Sequence, residues 1–202
     1  MREGILNRAD RRAYHLATCE LERRWKAVRE RMAVQGIDVL VVQSQQRFAG
    51  GYFRWFTDVP GANFPISAVF PLHDDMTIIA HGPEAPAPPG NPPLWALRGV
   101  KERINTPAMP NVWWEDAWVA EQAAAVMMRM KPKTVGVVGM GNLSGALYAN
   151  LVTLLAGVNI VNASDLVDEV RMVKSEEELR LLRASAELHE TSYGVAKQAI
   201  RP

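Results

Sequence analysis

CELERRWKAVRERMAVQGIDVLVVQS, residues 19–44, reads as a helix and a strand joined through one glycine. Leu21, Trp25, Val28 and Met32 recur at three- and four-residue intervals, so a helix carries them on one face. Arg and Glu fill the opposite face. Gly36 stands where the chain must leave the helix in a left-handed conformation, which glycine adopts without steric cost. The run that follows, IDVLVVQS, is short, apolar and β-branched. A strand buried within a parallel or mixed sheet needs that pattern, and helices then cover both faces.

The same grammar continues outward. NFPISAVFPLHDDMTIIAHG (63–82) predicts two strands, Ile66 to Phe70 and Met76 to Ala80, about a polar turn at His73, Asp74 and Asp75. VKERIN (100–105) predicts a further short strand. WWEDAWVAEQAAAVMMRMK (113–131) predicts a helix with acids early and bases late, matching the helix dipole, and Pro132 stops it. TVGVVGM (134–140) predicts a buried strand, LSGALYANLVTLLAG (143–157) a helix closed by Gly157, and VNIVNAS (158–164) a strand. Strands alternating with helices predict an α/β fold, a mixed sheet flanked by helices in a three-layer-like arrangement. The hairpin supplies its antiparallel part. The proline-rich stretch GPEAPAPPGNPPL (82–94) predicts a surface excursion inside the domain.

From residue 169 onward the composition changes. Ser175 followed by Glu178 predicts a capping box. Arg180, Arg183, Glu187, Glu190, Gly194, Lys197 and Arg201 then form one stripe, with Leu181, Leu182, Leu188, Val195 and Ile200 among the residues beside it. Such an amphipathic helix needs a cover for its apolar side. The expected division is therefore residues 1–168 as one domain and 169–202 as the start of another.

The 202 residues are 48% hydrophobic, enough to build a sizeable core. A net charge of +1, with Lys and Arg interspersed among Asp and Glu, argues against a nucleic-acid or membrane-surface protein. The charged N-terminus has no apolar run behind it, and no stretch reaches the roughly 20 apolar residues of a membrane span. Cys19 stands alone, which excludes a disulfide framework and predicts a buried small hydrophobe. These features point to a cytoplasmic protein.

Catalytic motifs are sparse. VGVVGMGNLSG (135–145) places Gly139, Gly141 and Gly145 between a strand and a helix, as a dinucleotide-binding turn does, but the spacing is not G-x-G-x-x-G. Close packing explains the glycines equally, and Asp165 reads as a ribose ligand or simply as a helix start. His15, His73, His81 and His189 form no metal-ligand pattern. AGGYFRWFTDVPG (49–61) reads as a glycine-hinged loop in which aromatic residues surround Arg54. Arg with aromatics suits a carboxylate or a partner surface. The competing reading packs the aromatics into the core and pairs Arg54 with Asp58 or a carbonyl.

VDEVRMVKSEEELRLLRASAELHETSYGVAKQAIRP (167–202) resembles the junction of the creatinase/prolidase/aminopeptidase P family, in which a strand end leads through Arg-x-Val-Lys-Ser into the first helix of the pita-bread metallopeptidase domain. Arg171, Val173, Lys174, Ser175 and Glu178 carry the match. RRWKAVRERMAVQGIDVLVV and KTVGVVGMGNLSGALYANL resemble segments of the family's N-terminal domain. GGYFRWFTD stands where relatives carry a Tyr-x-Thr-Gly-like segment, with Asp58 in place of the glycine. The resemblance implies a non-catalytic N-terminal domain of a Xaa-Pro peptidase or creatinase-like hydrolase, ending just inside the catalytic domain. It further implies a homodimer, and divalent metal (Mn, Co or Zn) bound downstream by two Asp, one His and two Glu. The resemblance places those ligands downstream of the junction helix, so no catalytic residue or metal ligand maps onto these 202 residues. Tyr52, Arg54, Trp55 and Asp58 are the rim candidates, facing substrate or partner. The alternatives are a stand-alone module dimerising through the helix that starts at Ser175 and a nucleotide-binding domain.

Overall fold

The computed structural model describes residues 16–44, 51–59, 64–82, 94–107 and 113–200. In chain order the elements are α1 (Thr18–Gln35), β1 (Val39–Ser44), α2 (Gly51–Thr57), β2 (Ile66–Pro71), β3 (Met76–His81), β4 (Val100–Thr106), α3 (Trp113–Arg129), β5 (Thr134–Val138), α4 (Gly145–Leu154), β6 (Asn159–Asn162), α5 (Ser164–Met172) and α6 (Glu176–Ala199). Most of the proline-rich stretch 82–94 lies outside the described residues.

The six strands form one sheet in the order β4-β3-β2-β1-β5-β6. β1–β2 and β2–β3 run antiparallel, while β1–β5, β5–β6 and β3–β4 run parallel. The sheet is mixed: β2 and β3 form a direct hairpin across 66–81, whereas α3 leads from β4 to β5 and α4 from β5 to β6. Asp38 anchors the centre: its Oδ2 accepts the backbone N–H groups of Lys133 (2.7 Å) and Thr134 (2.9 Å), fixing β5 beside β1.

Strand alternation divides the core into two layers. Leu40, Val42, Ala68, Phe70, Met76 and Ile78 face α1, α2 and α5. Val39, Val41, Val69, Ile79, Val135 and Val137 face α3 and α4. α3 lies against the sheet through Val119, Ala120, Ala123 and Met127, with Leu147 and Leu151 of α4 in the same layer. Gly136 is needed for close approach: a Cβ there would stand 2.6 Å from Leu40 Cδ2 and 2.8 Å from Ala163 Cβ.

α1 buries Leu21, Trp25, Val28 and Met32, as their spacing requires, and Gly36 closes it at φ +66°. Two charged residues, Glu20 and Arg24, are buried on the same face. Cys19, expected inside, is exposed. Its helical phase puts it nearly opposite Leu21 and Val28, and that phase outweighs the residue's apolar character.

α5 crosses positions 168 and 169 and buries Leu166, Val167 and Val170. The segment resembling a strand end before Lys174 is therefore helical up to Met172. α6 follows after a short extended link and buries none of its residues, leaving Leu182, Leu188, Tyr193, Val195 and Ile200 exposed. Leu181, half-buried in the first turns of α6, packs against the first core layer. No described helix is long and apolar enough to cross a membrane.

Candidate functional site

Gly51 to Thr57, expected as a loop, forms a short helix. The pattern explains it: Phe53, Phe56 and Thr57 fall on one side at helical spacing and are buried. Thr57 Oγ1 donates to the carbonyl of Phe53 (2.8 Å) and the N–H of Asp58 to that of Arg54 (2.7 Å). Asp58 ends the helix at φ +59°, a conformation that suits glycine and that aspartate tolerates better than most residues. This is the position where the resembled segment has glycine. The carboxylate offsets the strain by accepting the N–H of Leu16 (3.1 Å) and Arg98 Nη2 (2.9 Å).

The four rim candidates share α2 and its C-terminal end but have different surroundings. Tyr52 donates its hydroxyl to Asp168 Oδ2 (2.6 Å), beneath the Arg171 guanidinium 4.4 Å from its ring centroid. Burial, then the bond to Asp168, pushes its hydroxyl pKa up. Trp55 is buried and donates Nε1 to Glu178 Oε1 (3.2 Å). Asp58 is buried against Arg98. Arg54 is exposed, and its side chain makes no hydrogen bond or ion pair with the other described residues. Three of the four thus anchor the helix, and one guanidinium projects from it.

Beneath α2 lies a cluster that the motif reading missed. Arg24 has only 4% of its side chain exposed, and each of its guanidinium nitrogens has its own partner. Nε donates to Glu20 Oε1 (2.8 Å), Nη1 to the carbonyl of Trp55 (2.9 Å) and Nη2 to Glu178 Oε1 (2.8 Å). The guanidinium also lies 5.1 Å from the Trp55 ring centroid. Arg23 closes the cluster by bonding both oxygens of Glu20. Burial alone would raise the Glu20 pKa, but bonds and charge from Arg23 and Arg24 more than offset it, leaving the carboxyl below its ordinary range. Although Arg and Glu were expected on the opposite face of α1, Glu20 and Arg24, spaced i,i+4, border the apolar stripe, and that adjacency is the signal the sequence carried.

The glycine turn after β5 has a packing role. Gly139 adopts φ +72°, and a Cβ there would stand 2.8 Å from the Tyr52 ring. Its N–H donates to Ser164 Oγ (3.0 Å). Gly141 and Gly145 have open space around them, and Asp165 lies in the first turn of α5. His73 is exposed, and His189 Nδ1 bonds the carbonyl of Ser185 within α6. His81 is near Thr106 and Pro107, and His15 lies outside the described residues. Among the described residues no three His, Cys, Asp or Glu side chains are gathered as metal ligands, so the implied metal does not fit them. Ser44 Oγ, at the end of β1, is buried and has no hydrogen-bond partner among the described residues.

No family model matches the chain. It is 26% identical, across 95% of its own length, to an uncharacterized hydrolase/peptidase, y4tM, of Sinorhizobium fredii, and spans 48% of that protein. Its fold superposes on the prolidase of Thermococcus sibiricus with a TM-score of 0.64 at 11% identity, covering 89% of this chain and 44% of that one. It also superposes on the N-terminal domain of the cytoplasmic peptidase PepQ of Mycobacterium tuberculosis, with a TM-score of 0.50 at 14% identity, covering 74% of this chain and 98% of that one. The chain thus spans about half the length of the curated relative and of the prolidase that it matches. Its fold is that of the N-terminal domain of creatinase/prolidase/aminopeptidase P proteins.

Proposed function

We propose that this chain is the non-catalytic N-terminal domain of a metal-dependent hydrolase, a Xaa-Pro peptidase or a creatinase-like enzyme, working in the cytoplasm as a homodimer. The observation that carries this reading is the fold shared with nearly the whole of a peptidase N-terminal domain. Residues 1–168 form that domain, and 169–202 lead into a catalytic domain whose first helix is α6. The uncovered apolar side of α6 supports the division, since half a helix left in water is stabilised by burial against a following body.

In this reading the domain supplies shape and charge, not chemistry. α2 lies at the mouth of an active site. Tyr52, Trp55 and Asp58 hold it there, and Arg54 projects towards the carboxylate of a substrate or a partner surface. The divalent metal (Mn, Co or Zn) belongs to the following domain.

The test compares the 202-residue chain with the same chain extended by the coding sequence after Pro202. Both are assayed on Xaa-Pro dipeptides and creatine with Mn²⁺, Co²⁺ or Zn²⁺. Turnover is expected from the extended protein alone. Turnover by the 202-residue chain itself, or a downstream frame lacking two Asp, one His and two Glu as ligands, defeats the proposal. The exposed apolar side of α6 also favours a second reading, a stand-alone module that dimerises through this helix. Sedimentation at micromolar concentration decides that one: a monomer retires it.

A further inference from the structure

α6 needs something besides hydrophobic burial to hold its direction. Its link to α5 is short and extended through Val173 and Ser175, and none of its residues is buried. Every side-chain hydrogen bond from α6 to the rest of the described residues comes from its first turn. Glu177 Oε1 accepts the N–H of Ala17 (2.6 Å), and Glu178 accepts from Arg24, Trp55 and Arg23.

Glu178 does two things with one carboxylate. Oε2 accepts the N–H of Ser175 (2.9 Å) and closes the capping box, while Oε1 receives Arg24 Nη2 (2.8 Å) and Trp55 Nε1 (3.2 Å). Arg24 in turn holds Glu20 of α1 and the carbonyl of Trp55 in α2. One buried guanidinium therefore joins three helices, and its planar fork dictates where each acceptor must lie. A lysine in its place would supply charge without direction.

We propose that Glu178 is an interdomain positioning residue: by meeting Arg24 and Trp55 it fixes the angle between α6 and the α/β body. Capping and clamping are thereby coupled, since the carboxylate that starts the helix also aims it. α2, with Arg54 on its outer side, is tied to α6 through the same atoms, so the rim helix and the junction helix move as one unit. The purpose of this clamp rests on the junction reading above, but its existence is tested on this chain without any turnover assay.

Nitroxide labels at Glu121→Cys on α3 and Ser192→Cys on α6, in a Cys19→Ser background, report the distance distribution by pulsed electron resonance. The parent is expected to give a narrow distribution. Glu178→Gln and Arg24→Lys should each broaden it about twofold, because a buried ion pair loses its geometry while the helix persists. Ser175→Ala, which removes a cap bond and leaves the clamp, should keep the parent width. A broad distribution in the parent overturns the proposal. So does a parent-like width in Glu178→Gln, or broadening by Ser175→Ala equal to that of Glu178→Gln. Far-UV circular dichroism checks folding. Should Glu178→Gln not fold, Arg24→Lys decides, with a parent-like width counting against the clamp.

Discussion

At the residue scale, Arg24 shows how much one side chain can hold. Its three guanidinium nitrogens bond Glu20, the Trp55 carbonyl and Glu178 while almost no surface stays in water. Removing one member of such a buried ionic set leaves the others uncompensated, so Arg24→Ala should cost roughly 3–5 kcal/mol in urea denaturation. The pH dependence has a definite sign. The carboxyl of Glu20 is held below its ordinary 4.5 in the folded chain, so its contribution is present above that value and fades as pH falls through the folded pKa. A Glu20→Gln variant should be less stable than the parent at neutral pH, and the gap should narrow on acidification below about 4.5, measured by urea titrations across pH. Asp58 makes a different point. Its left-handed backbone and two accepted bonds show how a non-glycine residue occupies a position suited to glycine. Sequence alone exposed the departure from the family pattern there, but only distant partners, Leu16 and Arg98, explain it.

At the scale of elements, periodicity made most of the fold legible. The phase of α1 predicts its buried apolar residues, though not Glu20 and Arg24 beside them, and the apolar runs at 39–44 and 134–138 correspond to the two parallel central strands. β5 shows what that alternation constrains. Gly136 faces the layer where Leu40, Ile37 and Ala163 close in, so Gly136→Ala should destabilise the chain by about 1–3 kcal/mol through overpacking, read as a lower midpoint in chemical denaturation. An unchanged midpoint would mean that the layer relaxes around the added methyl. α2 departs from the expected loop for an equally physical reason. It is only seven residues long, its flanking glycines mimic a hinge, and its helical state depends on Phe53 and Phe56 finding the core. A segment this short has little helix-forming tendency of its own.

At the scale of the whole molecule, α6 contrasts with everything before it. The α/β body buries two continuous apolar layers, whereas α6 exposes Leu182, Leu188, Tyr193 and Val195. Backbone amides from 188 to 199 should therefore exchange much faster than those of α1 in the 202-residue chain. On the proposed domain division they should slow once a catalytic domain is joined to α6. Protection of that stretch equal to α1 in a monomer would contradict the division of domains. By itself the sequence determined the strands, the phases of the long helices, the caps at Gly36 and Ser175 and the resemblance at the junction, because each depends on neighbours within a turn or two. Only the tertiary structure decided that Trp55 faces Glu178 and that one arginine ties three helices together. Arg24 meets its partners at separations of 31 and 154 residues, and no local pattern records a contact made across such lengths of chain.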